Sequence, residues 1–174
     1  MELQHVVRGA PRFVFLTDQV EARANRGPVV TDGRVAWRLL AANNRAMGRS
    51  AITFGSVEDC YSAALELHLG RASATYSAVF NSEQSRWGWT LMLDGAWVAT
   101  SAHQYHRRIE CLRGLRQFVE SLAAAVPDMD EVRHIGPRSL GVYKQADFQV
   151  TSAGYPVTGL FARPDLPAVE VVLK

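Results

Sequence analysis

Lysine is almost missing from this sequence of 174 residues: it occurs only as Lys144 and Lys174, and every other permanently basic side chain is an arginine. The 19 basic and 17 acidic residues leave a net charge of +2, which is too small to indicate nucleic acid binding by itself. Cysteine is equally rare. Two residues, Cys60 and Cys111, cannot build the disulfide framework of a small secreted protein.

Long hydrophobic runs are absent as well. No stretch approaches the ~20 apolar residues of a transmembrane helix, and the N-terminus lacks the basic run followed by an apolar run that marks a signal peptide. With 48% hydrophobic and 21% charged residues, the composition is that of a globular protein with an ordinary core. These features predict a soluble, cytoplasmic protein that does not contact membranes.

Catalytic signatures are also missing. The sequence contains no phosphate-binding glycine loop, no Gly-x-Ser-x-Gly elbow and no His-Glu-x-x-His motif. We therefore predict no catalytic residue, no cofactor and no metal. An enzyme of undetected chemistry is an alternative, because a site assembled from distant residues leaves no local motif.

The sequence contains one segment that occurs twice in similar form. Trp37 recurs 52 residues later as Trp89, and Cys60 recurs 51 residues later as Cys111. The difference of one residue corresponds to a deletion in a turn between these positions. Self-similarity at a nearly fixed spacing indicates a repeated supersecondary unit that buries its apolar face against its neighbour.

Each copy has the pattern of three strands followed by a helix. In the strands apolar residues alternate with others, and in the helices they recur with a period of three to four. The first copy predicts strands over 28–31, 35–41 and 46–51, an Asp32-Gly33 turn, and a helix that begins at Val57, with Ser56 as its N-cap, and ends at Gly70. The second predicts strands over 76–80, 87–93 and 96–102 and a helix that Pro127 closes.

The flanking segments predict further strands, because residues 13–17, 148–152, 157–161 and 169–173 contain short runs of strand type. We predict an α+β fold in which tandem β-β-β-α repeats form a shared antiparallel sheet with the helices on one face, extended by flanking strands. The predicted divisions are an N-terminal β-rich flank (1–28), a first repeat (29–75), a second repeat (76–125) and a C-terminal β-rich extension (126–174). A degenerate third repeat is one interpretation of that extension.

A known family has the same pattern. Residues 37–50 read Trp-x-Leu-x-Ala-x-Asn-x-x-x-Met-Gly-x-Ser and are followed by Phe54 and an amphipathic helix, which resembles the YegP-like repeat of a small bacterial domain. The second copy matches through Trp89, Ser101 and Tyr105, so that the resemblance covers about residues 29–124. It implies tandem units that merge into one sheet. It implies no activity and no site residues, because the family has no established function.

The cysteines and histidines have simple structural interpretations. Cys60 and Cys111 occupy the same place on two apolar helical stripes, and we interpret them as small buried hydrophobic residues. A disulfide between them is an alternative that a reducing cytoplasm disfavours. His103 and His106 could ligate a metal, but such sites need three or four ligands, and we interpret both as solvated loop residues.

The densest basic cluster lies at the second helix, and it defines the predicted partner-binding residues Arg107, Arg108, Arg113 and Arg116. We call them the arginine group. The first copy has no charge at the matching positions, which are Ser56, Val57, Ser62 and Leu65. The leading hypothesis is a small non-catalytic binding or assembly module that acts through a protein partner or a second copy of this chain. The alternative is nucleic acid binding, in which neighbouring tryptophans would stack on bases.

Overall fold

The computed structural model describes residues 9–17, 35–81, 84–135 and 169–170. Its elements in chain order are β1 (Arg12–Thr17), β2 (Val35–Leu40), β3 (Ala46–Ser50), α1 (Val57–Gly70), β4 (Thr75–Asn81), β5 (Arg86–Leu93), β6 (Ala96–Ser101), α2 (Arg108–Ala124), β7 (Val132–His134) and β8 (Val169–Glu170). A short 3-10 turn over Arg71–Ser73 follows α1. The α+β class is therefore confirmed. The strands predicted over 28–31, 148–152 and 157–161 and the Asp32-Gly33 turn lie outside the described residues.

The two helices form where the apolar period changes to that of a helix. In α1 the buried residues are Cys60, Ala64 and Leu67, which form one stripe along the helix. The helix begins as predicted, because the Ser56 hydroxyl accepts a hydrogen bond from the Asp59 N–H at 3.1 Å. In α2 the corresponding stripe consists of Cys111, Leu115, Phe118 and Leu122.

One eight-stranded sheet carries both helices, with the strand order β7-β1-β2-β3-β6-β5-β4-β8. The prediction of a wholly antiparallel sheet is wrong at one edge, where β7 pairs parallel with β1 and Phe15 lies opposite Val132. Every other neighbouring pair of described strands is antiparallel. The exception has a physical reason: β7 reaches the edge from α2 and not from a hairpin with β1, so its connection does not impose an antiparallel direction.

The main core lies between the sheet and both helices. The largest side chains in it are Trp37, Trp89, Phe13, Phe15 and Phe118, each at most 1% exposed. A smaller buried cluster on the opposite side of the sheet contains Val14, Leu16, Ala36 and Leu40. Both helices therefore pack on one face, as predicted.

Corresponding backbone contacts occur in the two halves of the sheet. The Trp37 N–H donates to the Ser50 hydroxyl at 3.3 Å, and the Trp89 N–H donates to the Ser101 hydroxyl at 3.3 Å. After each third strand the chain returns to the second one: the Phe54 N–H donates to Val35, as the Tyr105 N–H does to Trp87.

The halves join at the pair β3–β6, where Gly48 lies opposite Ser101. Two hydrogen bonds beyond this ladder cross the junction. The Ala51 N–H donates to the Val98 carbonyl, and the Ala102 N–H donates to the Met47 carbonyl, both at 3.2 Å. The two central strands of the sheet, β3 and β6, therefore come one from each half.

Candidate functional site

The structure places all four members of the arginine group on the surface. None of them forms an ion pair within the described part of the chain, in contrast to Arg12 and Arg133, which pair with Glu131. Their guanidinium groups are consequently available for contacts outside the fold.

The four arginines do not share one stripe of α2. Arg107 precedes the helix and Arg108 begins it, whereas Arg113 and Arg116 lie one to two turns further on. At ~100° per residue, Arg108 and Arg113 differ by about 140° around the helix axis. The group therefore surrounds the first half of α2 and presents charge in more than one direction.

A cleft of about 650 Å³ lies beside α2, between that helix and the turn that joins β2 to β3. Arg45 lines it from the turn, Arg113 and Gly114 line it from the helix, and Tyr105 lines it from the loop before the helix. Two carboxylates, those of Glu110 and Glu120, lie along the same walls. Of the arginine group, Arg113 alone is part of this lining.

The turn that carries Arg45 is closed by hydrogen bonds. The Ala41 N–H donates to the Arg45 carbonyl at 2.8 Å, and the Arg45 N–H donates to Asn43 Oδ1 at 3.1 Å. Asn44 adopts the left-handed conformation with φ of 65°, which asparagine tolerates better than most residues do. These bonds fix the backbone of Arg45 beside the cleft.

Tyr105 brings a hydroxyl group against the helix. A Cβ atom added to Gly114 would lie 2.2 Å from the Tyr105 hydroxyl oxygen, so only glycine allows the phenol to sit there. Burial raises the pKa of Tyr105 and the nearby Cys111 adds to the rise, while the Trp89 indole N–H and the charge of Arg45 oppose it. The phenol is therefore protonated at neutral pH, so its hydroxyl group can donate a hydrogen bond.

The two cysteines are buried in the core as free thiols, as predicted. Burial raises the pKa of Cys60 to about 12 and that of Cys111 to about 12, the latter against the opposing charge of Arg108. Because the thiolate is the reactive form, neither group is suited to nucleophilic or redox chemistry in the native state.

We expect both thiols to resist labelling by an aromatic disulfide reagent at pH 8 until the protein is denatured, because thiolate and access are both lacking. The measurement is the rate of thiol release with and without denaturant, with a small-molecule thiol as the control. Rapid labelling of the native protein would show that at least one of these side chains is accessible.

The histidines remain at the surface. His103 and His106 are exposed, and the Arg86 guanidinium donates a hydrogen bond to Nδ1 of His106. In the described ranges no three His, Cys, Asp or Glu side chains are grouped so as to hold a metal ion. Neither described helix has the length and hydropathy needed to cross a membrane.

Arg45 and Tyr105 are site residues that the sequence did not single out. The signal for Tyr105 is present in the repeat, because Phe54 occupies the matching position and lacks the hydroxyl. A second difference accompanies it, since Gly114 stands where the first copy has Ala63. In the predicted repeat, a comparison of matching positions therefore identifies polar groups that only one copy has.

The fold and the site define an α+β protein with two helices on one face of a mixed sheet and a polar cleft beside the second helix. Comparison with family models and with curated proteins gives no match. Among solved structures, the chain is similar to the solution NMR structure of YegP from E. coli, a protein of unknown function. The identity is 13% and the TM-score 0.48, with 74% of this chain and 95% of that chain covered. That protein bears the name of the family that the repeat pattern resembles, and it supplies no activity.

Proposed function

We propose that this chain is a small non-catalytic binding module that acts through a protein partner, and that the arginine group contacts the partner. The observation that carries the proposal is the N-terminus of α2. Where α1 has the capping hydroxyl of Ser56, α2 has Arg107 and no side-chain cap. A lost cap costs about 0.5–2 kcal/mol, and positive charge is unfavourable at this end of the helix dipole.

Arg107 and Arg108 therefore destabilise the N-terminus of α2. Residues that break a local structural rule with no gain for the fold are typical of functional positions. Arg113 and Arg116 are likewise exposed and unpaired within the described residues. Guanidinium groups bind carboxylates in bidentate fashion, so the partner that fits best is an acidic protein surface.

The position of the tryptophans argues against nucleic acid as the partner. Base stacking would require exposed aromatic faces near the arginines. Trp89 is fully buried, and Trp87 packs against the main core and against Phe80 at a ring distance of 5.1 Å. Trp87 and Trp89 therefore do not offer the arginine group the free ring faces on which the nucleic acid alternative depends.

The repeat and the chain divisions form part of the same proposal. The matched contacts of Trp37 and Trp89 support two copies of one unit, assigned to residues 29–75 and 76–125. The flank 1–28 would then supply β1 to the first unit, in the place that β4 has in the second. The extension 126–174 would supply the edge strands β7 and β8. Two free, buried thiols fit a reducing compartment such as the cytoplasm.

A four-fold variant tests the arginine group: Arg107→Ser together with Arg108→Gln, Arg113→Gln and Arg116→Gln. We expect an unchanged or slightly higher thermal midpoint, because a serine hydroxyl at the N-cap position could cap α2 and exposed charges contribute little to stability. We expect the loss of partner capture from a native lysate, read by mass spectrometry, followed by at least about tenfold weaker binding to the purified partner.

The matched control removes three exposed charges from the other helix, through Glu58→Gln, Asp59→Asn and Glu66→Gln, and should keep partner binding. Unchanged binding by a folded four-fold variant would contradict the assignment and direct attention to the flanks, 1–28 and 126–174. Capture of single-stranded oligonucleotides with a steep salt dependence would favour the nucleic acid alternative instead.

A further inference from the structure

The cleft beside α2 is open because small side chains occupy two positions whose matches in the predicted repeat are in contact. Leu93, the last residue of β5, packs against the end of α1, since a Cβ added to Gly70 would lie 3.0 Å from Leu93 Cδ1. The position that matches Leu93 is Ala41, the position that matches Gly70 is Ser121, and both line the cleft. The space that Leu93 fills beside α1 is thus left free beside α2.

The floor of the cleft differs from its counterpart by one hydroxyl group. Phe54 and Tyr105 make the same pair of backbone hydrogen bonds, Phe54 to Val35 in β2 and Tyr105 to Trp87 in β5, at 2.7–2.8 Å. Tyr105 adds an oxygen atom, and Gly114 provides the room for it by the absence of a Cβ. Ala63 stands at the matching helix position beside no such hydroxyl. The fold therefore accepts phenylalanine with alanine, and this half has tyrosine with glycine.

The cleft that Tyr105 lines also carries positive charge. Arg45 and Arg113 line the cleft, and their matching positions in the predicted repeat are Ala96 and Ser62. Arg45 lies close enough to the phenol to act on its pKa. Three hydrogen-bond donors, two of them cationic, consequently line an opening whose matching place is filled by Leu93.

We propose that this cleft binds a single carboxylate group that the protein partner presents, held by the Tyr105 hydroxyl and the Arg45 and Arg113 guanidinium groups. The inference rests on the proposed function and names the chemistry that the partner must offer. Donation from a neutral phenol and from guanidinium N–H groups is the recognition that a carboxylate oxygen requires.

The acidic residues of the cleft favour a monoanion over a phosphate. Glu110 and Glu120 line the same walls and offset the charge of the two arginines. A doubly charged phosphate would meet more repulsion from these carboxylates than a carboxylate would. We therefore expect the site to discriminate against phosphate.

The test is a titration followed by the backbone amide NMR signals of Arg45, Tyr105 and Gly114. The probes are the blocked tripeptide acetyl-Ala-Glu-Ala-amide, its glutamine analogue, and acetyl-Ala-Ala-Ala with a free carboxyl end. We expect saturable shifts with at least one carboxylate probe and none with the glutamine analogue. A stronger response to the first or third probe shows whether a side chain or a chain terminus is the preferred source, and either result supports the proposal.

Two variants, whose new residues already occur at the matching positions of the repeat, separate an effect on binding from an effect on folding. Tyr105→Phe and Arg45→Ala each install the residue of the other half and should weaken carboxylate binding by about tenfold or more. Glu66→Gln, on α1 and outside the cleft, should leave this binding unchanged. Equal affinity in folded Tyr105→Phe, equal or tighter binding of inorganic phosphate, or no saturable shift with any carboxylate would overturn the proposal. Partner capture that still depends on Arg107, Arg108 and Arg116 would show that the binding module stands without it.

Discussion

Replacement of Trp89 by alanine should lower the free energy of unfolding by about 3–5 kcal/mol, the cost of emptying a large buried aromatic site. Trp89 is fully buried, and its ring centroid lies 4.4 Å from that of Phe118. The ring joins the second strand of one half to the helix that covers it. Its removal therefore opens a cavity at the centre of the main core.

The measurement is equilibrium unfolding in urea, with comparable slopes required for both proteins. Trp97→Ala is the matched control, because Trp97 is only half-buried and lies outside the main core cluster, and its effect should be clearly smaller. A loss below about 1 kcal/mol for Trp89→Ala would mean that the side chain is not buried in solution.

Gly48→Ala should destabilise the protein by about 1–3 kcal/mol, the usual cost of overpacking a core. A Cβ at this position would lie 2.4 Å from Phe118 Cε2 and 2.7 Å from Trp89 Cη2. Both rings are fully buried and packed against each other, so neither can move away without disturbing the core. Thermal unfolding monitored by circular dichroism gives the shift in midpoint.

A second substitution should rescue much of this loss. In the predicted repeat, Ala99 is the counterpart of Gly48 and Leu67 is the counterpart of Phe118, and both are fully buried. The double variant with Phe118→Leu reproduces that pair, and we expect it to lose less stability than the two single changes combined. Gly55→Ala is the control, since its added Cβ meets no atom within 4 Å. Strict additivity would contradict the direct contact.

The sequence predicts the elements of this fold well where the periodicity is long and repeated. The stripes of α1 and α2 and the alternation around Trp37 and Trp89 each extend over several residues, and each copy supports the other. The edge strand β7 was not predicted, because three residues with one half-buried and two exposed side chains carry no periodic signal. Its parallel direction depends on where α2 delivers the chain, which is a tertiary property.

The candidate site was predicted in part for a related reason. Charge is visible in a sequence, so the arginine group could be named from it. A cleft is a space between elements, and it depends on Ala41 and Gly114 as much as on the groups that line it. Small residues give no signal alone, and they became informative when they were set against Leu93 and Ala63.

The β3–β6 junction bears on how such a chain can assemble. Each half closes the edge of the other through the ladder at Gly48 and Ser101 and through the reciprocal bonds of Ala51 and Ala102. A half by itself would present an open strand edge, which is a template for pairing with another chain. Because both halves belong to one chain, their association is intramolecular. It therefore does not depend on protein concentration, as the association of two separate halves would.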